Sequence, residues 1–251
     1  NTYFITLVIS FLLGLSLLFF GKDSEKNINF IEQLILIICT YVLISILISI
    51  PFYLSNYQVT FLNSIFESIS GLTGTGFSIF SDIKYLDPTL ILWRSSSQWI
   101  GGLFFLFFLA IIFSNKSFNY KMTNLTYSGD NNFNSESNIK DNLLRIFIIY
   151  SIFSIVILGL LNLSGVRLFN SLNLSMTLIS GGGFLPTESI SKIISSNLQK
   201  VILIFSLLVS LLNIYLLFNI FNKNTLIKEH REDLYLIILS IIFCSFIYFN
   251  N

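Results

Sequence analysis

Runs of apolar residues long enough to cross a bilayer constrain this chain more than any other feature. A helix rises 1.5 Å per residue, so about 20 mostly apolar residues cover the roughly 30 Å of hydrocarbon in a membrane. Residues 2–20, 33–54, 143–163 and 200–221 reach that length, as do 89–113 with Arg94 near the outer end, and a further run occupies 234–249. Composition agrees: 54% of the 251 residues are hydrophobic and 11% are charged, where a soluble domain carries about 25% charged residues. A water-soluble globule is excluded, as is a disordered chain, which needs low hydrophobicity and high net charge. Two cysteines are too few for a disulfide scaffold. The fold class is an all-α integral membrane protein, with lipid as its surroundings.

The opening run has no charged leader and exceeds the 7–15 apolar residues of a signal-peptide core, so it reads as a membrane span. The sequence begins and stops within apolar stretches, and we expect it to be part of a longer chain. Net charge +1 provides no field to attract nucleic acid, and none is expected as a partner. Cys39 and Cys244 lie inside apolar runs and His230 is the single histidine, so no cluster has metal-ligand spacing.

Two apolar segments are too short to cross: 60–70 and 168–180. Each runs into glycine, GLTGTGF from Gly71 to Phe77 and GGGF from Gly181 to Phe184. The order span, short helix, glycine-rich stretch, span thus occurs twice with a period of about 100 residues, and repeats of this kind place a pathway at their interface. The expected units are 1–31, a leading span and cytoplasmic loop; 32–113, a first repeat; and 114–140, a cytoplasmic linker. After them come 141–221, a second repeat, and 222–251, a loop and the start of a third. If both short helices re-enter from one side, the opposite loops hold nine of the 14 Lys and Arg. The richer side is cytoplasmic by the positive-inside rule, so the short helices open outward.

Irregular backbone at membrane depth is tolerated only where it is buried in protein or lines a watery path. A selectivity filter meets that condition, because an extended strand can turn carbonyl oxygens inward to replace a cation's hydration shell. Glycine allows successive carbonyls to face one way through φ > 0. Thr73, Gly74, Thr75 and Gly76 would form one such ladder, with the Thr73 hydroxyl at its inner end, and Ser180, Gly181, Gly182 and Gly183 a second. The short helices would aim the negative ends of their dipoles at the ion, which favours a cation. Tight packing or turns are the plainer reading of either stretch alone; a phosphate loop is discounted because neither ends in GK[ST].

Glu67 in the first short helix could brace the filter by accepting backbone N–H bonds, raise cation density at the mouth, or be a solvated or Arg-paired structural acid. Asp82 and Asp87, in the outer loop, could concentrate cations or do nothing specific. Arg94 is expected to snorkel or pair with an acid rather than touch the ion.

The run FESISGLTGTGFSIFSDIKYLDPTLILWRSSSQWIGGLFFLFFLAIIF, Phe66 to Phe113, resembles the first pore loop and following helix of the Trk/Ktr/HKT superfamily of potassium transporters. The N-terminal half of a bacterial TrkH-type membrane subunit is the nearest likeness. The resemblance includes the filter and the WR…QW.GG signature, here Trp93, Arg94, Gln98, Trp99, Gly101 and Gly102. PFYLS, Pro51 to Ser55, and ISGGGF in the second repeat are similar too. Gly74 stands where the family commonly has threonine, which removes a side chain that helps fix the strand.

The resemblance implies four helix, pore-loop, helix repeats around one pore, of which two are present here. It also implies potassium uptake across the bacterial inner (plasma) membrane, K⁺ as the transported ion with no covalent cofactor, and no enzymatic activity. Its implied partners are a second full-length subunit and a cytoplasmic nucleotide-binding regulatory subunit of the TrkA/KtrA type. The loops 114–140 and 222–233 would be the docking surfaces for that subunit, although on their own residues they read as linkers. The competing readings are a non-conducting or dimer-completing half-transporter acting as a scaffold, and a membrane enzyme built on Glu67. No His, Cys or paired acids converge to support the enzyme.

Overall fold

The computed structural model describes residues 2–22, 29–113, 137–211, 235–240 and 242. Among them are seven longer helices and no strand. Four are long and apolar enough to cross a membrane: α1 (Thr2–Gly21), α2 (Phe30–Tyr53), α4 (Pro88–Phe113) and α5 (Ser137–Leu163). Two short helices, α3 (Phe61–Leu72) and α6 (Leu168–Ile179), occupy the segments too short to span, and α7 covers Asn197–Leu211. Residues 114–136 and most of 212–251 lie outside the described residues. So do most of the expected linker 114–140, the loop 222–233, and the ends of the runs 200–221 and 234–249.

Each helix begins and ends where its sequence allows. Pro51 has no N–H to offer the preceding turn, and α2 stops two residues later. The Thr60 hydroxyl accepts from Asn63 N at the start of α3, satisfying one of the free first-turn donors. Both short helices contain 12 residues, and each is followed by a glycine segment and a single 3-10 turn, at Ile83–Tyr85 and Ile190–Lys192. Corresponding elements stand 107 residues apart, from Phe61 to Leu168, Leu72 to Ile179 and Ile83 to Ile190.

Helix α4 is the centre of the assembly and packs against α2, α3, α5 and α6. One apolar cluster lies on each side of it. Ile48, Phe52, Leu72, Leu90 and Ile91 form the first, with Trp93 against it. Tyr150, Ile157, Leu161, Leu174 and Leu178 form the second, with Trp99 and Leu103 against it. Helix α1 touches α2 and buries only Thr6, leaving a wide apolar surface of the kind lipid requires.

Candidate functional site

Both short helices end in the same way. At the end of α3, Gly74 N donates to Gly71 O (3.0 Å) and Thr75 N to Ser70 O (3.1 Å). At the end of α6, Gly181 N donates to Leu178 O (3.1 Å) and Gly182 N to Thr177 O (2.9 Å). These are paired Schellman closures, in which the residue after the cap must be left-handed; Gly74 has φ 69° and Gly181 φ 67°. Helix termination is therefore what demands Gly74 and Gly181, whereas Gly71, the first glycine of the stretch, lies inside α3. Gly76 is left-handed as well, at φ 77°, whereas Gly182 and Gly183 are not.

The two segments emerge side by side. A Cβ on Gly76 would stand 2.9 Å from Gly183 Cα, and a Cβ on Gly74 would stand 3.7 Å from Ser180 O. Both helix C-termini, and the negative ends of their dipoles, therefore close on one place. Thr73, Thr75 and Phe77 are exposed beside it, while Gly74, Gly76, Ser180 and Gly182 are half-buried and Gly181 and Gly183 exposed.

Hydroxyls stiffen the first segment. Ser70 Oγ donates to Phe77 O at 2.5 Å, and Thr75 Oγ1 lies 3.1 Å from Ser70 Oγ. Thr73 Oγ1 returns to Ile69 O within the helix, at 2.7 Å. Beyond the segment, Glu67 is fully buried. Its Oε1 accepts from Arg94 Nε (2.8 Å) and Ser78 Oγ (3.0 Å), and its Oε2 from Ile79 N (2.8 Å). Arg94 is 1% exposed, so it does not snorkel; it pairs with the acid and adds an Nη2 bond to Ser78 Oγ at 2.9 Å. Burial and backbone bonding turn Glu67 inward. Asp82, by contrast, is exposed at a cleft of about 360 Å³ that Tyr57, Asn63 and Tyr85 also line.

The polar and glycine residues of α4 serve this site from behind. Trp93 Nε1 donates to Ile48 O of α2 (3.0 Å), and Trp99 Nε1 to Ser154 Oγ of α5 (2.9 Å). Gly101 and Gly102 let α4 approach so closely that a Cβ would lie 2.0 Å from Leu72 O at the first and 2.9 Å from Ser180 Cβ at the second. Gln98 Oε1 accepts from Phe184 N at 3.2 Å. Of the members of this signature, only Arg94 has a role that the sequence predicts, and Gln98, Trp93, Trp99 and the glycines have none. The recoverable signal was two polar residues one helical turn apart, Arg94 and Gln98, inside an apolar span. Ser78 carried no such signal, since one serine in a polar loop resembles any other.

Similar proteins agree with this architecture. The chain is 26% identical over 237 residues to the Trk system potassium uptake protein TrkG of Escherichia coli, covering 89% of this chain and 47% of that one. It is 25% identical to TrkH of the same organism, covering 93% and 48%. An uncharacterized cation transporter of Methanocaldococcus jannaschii is 27% identical, over 71% of this chain and 38% of its own. The crystal structure of the potassium transporter TrkH from Vibrio parahaemolyticus shares the fold, with a TM-score of 0.72 at 21% identity over 91% of this chain and 46% of that one. The chain thus spans between 38% and 48% of the length of these relatives. With its apolar spans, it is a multi-pass protein of the inner membrane. The model of the TrkH family, described as a cation transport protein, matches residues 1–242, and the chain belongs to that family.

Proposed function

We propose that this chain contributes two walls of a K⁺ uptake pathway, with the carbonyl oxygens of Thr73–Gly76 and Ser180–Gly183 lining the ion's route. The observation that carries the reading is the shared geometry of the two glycine segments: each leaves a helix C-terminus by the same closure, and they meet at Gly76 and Gly183. Convergent carbonyl dipoles of that kind suit a dehydrated cation and repel an anion. Uptake is passive and driven by the membrane potential, worth about 2.3 kcal/mol per charge per 100 mV. Glu67 acts as a brace for the backbone beyond the first segment, and Asp82 raises cation density at the outer mouth. K⁺ is the transported ion, and no covalent cofactor takes part.

The names of the relatives as parts of a Trk system support work alongside a regulatory subunit; that this subunit is cytoplasmic and nucleotide-binding, and that the full-length chain pairs with a second copy, are further parts of the proposal. The second reading is a half-transporter, non-conducting or completed by pairing, that acts as a membrane scaffold; flux separates it from the conduit.

The test is flux. In cells lacking their own K⁺ uptake systems, the full-length protein carrying this sequence is expected to restore growth at low K⁺ and to take up ⁸⁶Rb⁺. Substitution of Gly76 should abolish uptake at unchanged membrane abundance. Abundant protein without uptake would leave the half-transporter reading in place of the conduit.

A further inference from the structure

The two glycine segments are held by different means. The first is braced from within its own unit, by Ser70 on Phe77 O, by Thr75 on Ser70, and by Glu67 on Ile79 N. The second lacks these devices. Thr177 stands where Ser70 stands in the first unit, but its hydroxyl stays inside the helix, on Asn173 O and Leu174 O. Gly182 stands in the place of Thr75 and has no side chain to offer. Among the described residues, the one side-chain hydrogen bond to the backbone of Gly181–Phe184 comes from the other unit: Gln98 Oε1 accepts from Phe184 N.

Gln98 is fully buried, and its side chain fills the space where a Cβ on Gly182 would stand, 2.3 Å from Cδ and 2.6 Å from Nε2. One turn earlier on the same helix face, the Arg94 guanidinium lies 4.3 Å over the Phe184 ring while bonding Glu67 and Ser78 of the first unit. Gln98 Nε2 finds no hydrogen-bond partner among the described residues. The amide is therefore not positioned by satisfying both its ends; the bond to Phe184 N and the fit against Gly182 are what it gains.

Three successive glycines have the largest backbone freedom to lose, and without a brace their carbonyls sample many directions. Discrimination between K⁺ and Na⁺ has been ascribed to the size of the cavity the carbonyls form and to their number and field strength at the ion, and either account depends on where the carbonyls point. We infer that Gln98 is a positioning residue that determines ion discrimination by the second segment, so that a helix of the first unit sets the selectivity of the second. This inference rests on the conduit reading.

The experiment compares Gln98→Met, which keeps the length and removes the acceptor, with Gln98→Glu, which keeps an acceptor for Phe184 N and has Arg94 one turn away to offset its charge. ⁸⁶Rb⁺ and ²²Na⁺ uptake into proteoliposomes gives the selectivity ratio. In parallel, the thermal midpoint of the detergent-purified protein is read in KCl against NaCl. The Rb⁺/Na⁺ ratio should fall about tenfold in Gln98→Met, the scale of one hydrogen bond lost at a discriminating site, and the K⁺-specific rise in midpoint should disappear. Gln98→Glu should restore both, which a merely structural role would not predict. Where Gln98→Met does not reach the membrane, Gln98→Asn, one methylene short of Phe184 N, takes its place with the same expectation.

A wild-type ratio and K⁺-specific rise retained in Gln98→Met or Gln98→Asn overturns the inference alone. A wild-type protein with neither uptake nor K⁺-specific stabilisation overturns the conduit reading and this inference with it.

Discussion

Gly76 and Gly183 face each other across the site, yet a methyl group added to each meets different obstacles. At Gly76 it would enter a left-handed backbone, costing about 1–2 kcal/mol for an L-residue, and would stand 2.9 Å from Gly183 Cα. At Gly183 the backbone is not left-handed and the nearest atom, Gly76 Cα, is 3.5 Å away, an ordinary contact. Gly76→Ala should therefore abolish selective uptake while Gly183→Ala retains a measurable fraction of it; equal ⁸⁶Rb⁺ uptake by the two variants would contradict the geometry. Glu67 poses a question of charge rather than space. Removing it leaves Arg94 buried with no counter-charge, a loss of about 3–5 kcal/mol for a broken buried pair. Glu67→Gln should lower the thermal midpoint in detergent, and the double variant Glu67→Leu with Arg94→Leu should be less destabilised than the sum of the singles. Additive effects would show that the pair is not coupled.

Among the helices, α4 carries the most consequence because it serves both units. It reaches α3 and α6 together only by presenting Gly101 to Leu72 and Gly102 to Ser180, where any Cβ would overlap backbone or side chain. Gly101→Ala should thus push α4 off the end of α3, at a cost on the scale of about 1–3 kcal/mol for overpacking, or more because the opposing atom is a backbone oxygen. Size-exclusion chromatography of the solubilised variant should show reduced monodisperse protein; an unchanged profile would mean that α3 and α4 can separate freely. The short helices are legible in the sequence for a simple reason. They are apolar but end after 12 residues, too soon to cross, and the glycine that follows each cap permits the left-handed closure. The 3-10 turns after the glycine segments were not legible, because a single turn of such helix carries no periodic signal.

For the whole molecule, orientation follows from charge. With nine of 14 Lys and Arg on one set of loops, the positive-inside rule predicts that set to be cytoplasmic and the mouth of the proposed site to face outward. In a background with Cys39 and Cys244 replaced, Asp82→Cys should react with a membrane-impermeant maleimide in intact cells, and Lys140→Cys only after permeabilisation. The opposite pattern would invert the topology and turn the Asp82 cleft to the cytoplasm.

Sequence by itself determined the solvent, the spans and the interruptions. Apolar runs of about 20 residues have no stable place in water, and a helix in lipid satisfies its own backbone, so 33–54 and 143–163 became α2 and α5 with only their ends shifted. It also marked both glycine segments, since a local turn needs local residues. What the tertiary structure alone decided is how the segments are held. Whether Glu67 faces water or an arginine, whether Arg94 reaches the surface, and that Gln98 accepts from the N–H of Phe184, 86 positions away, all depend on how α4 lies between α3 and α6. Those contacts form between groups far apart in the chain, and a buried polar side chain shows in sequence only that it needs a partner. Which partner it finds is a property of packing.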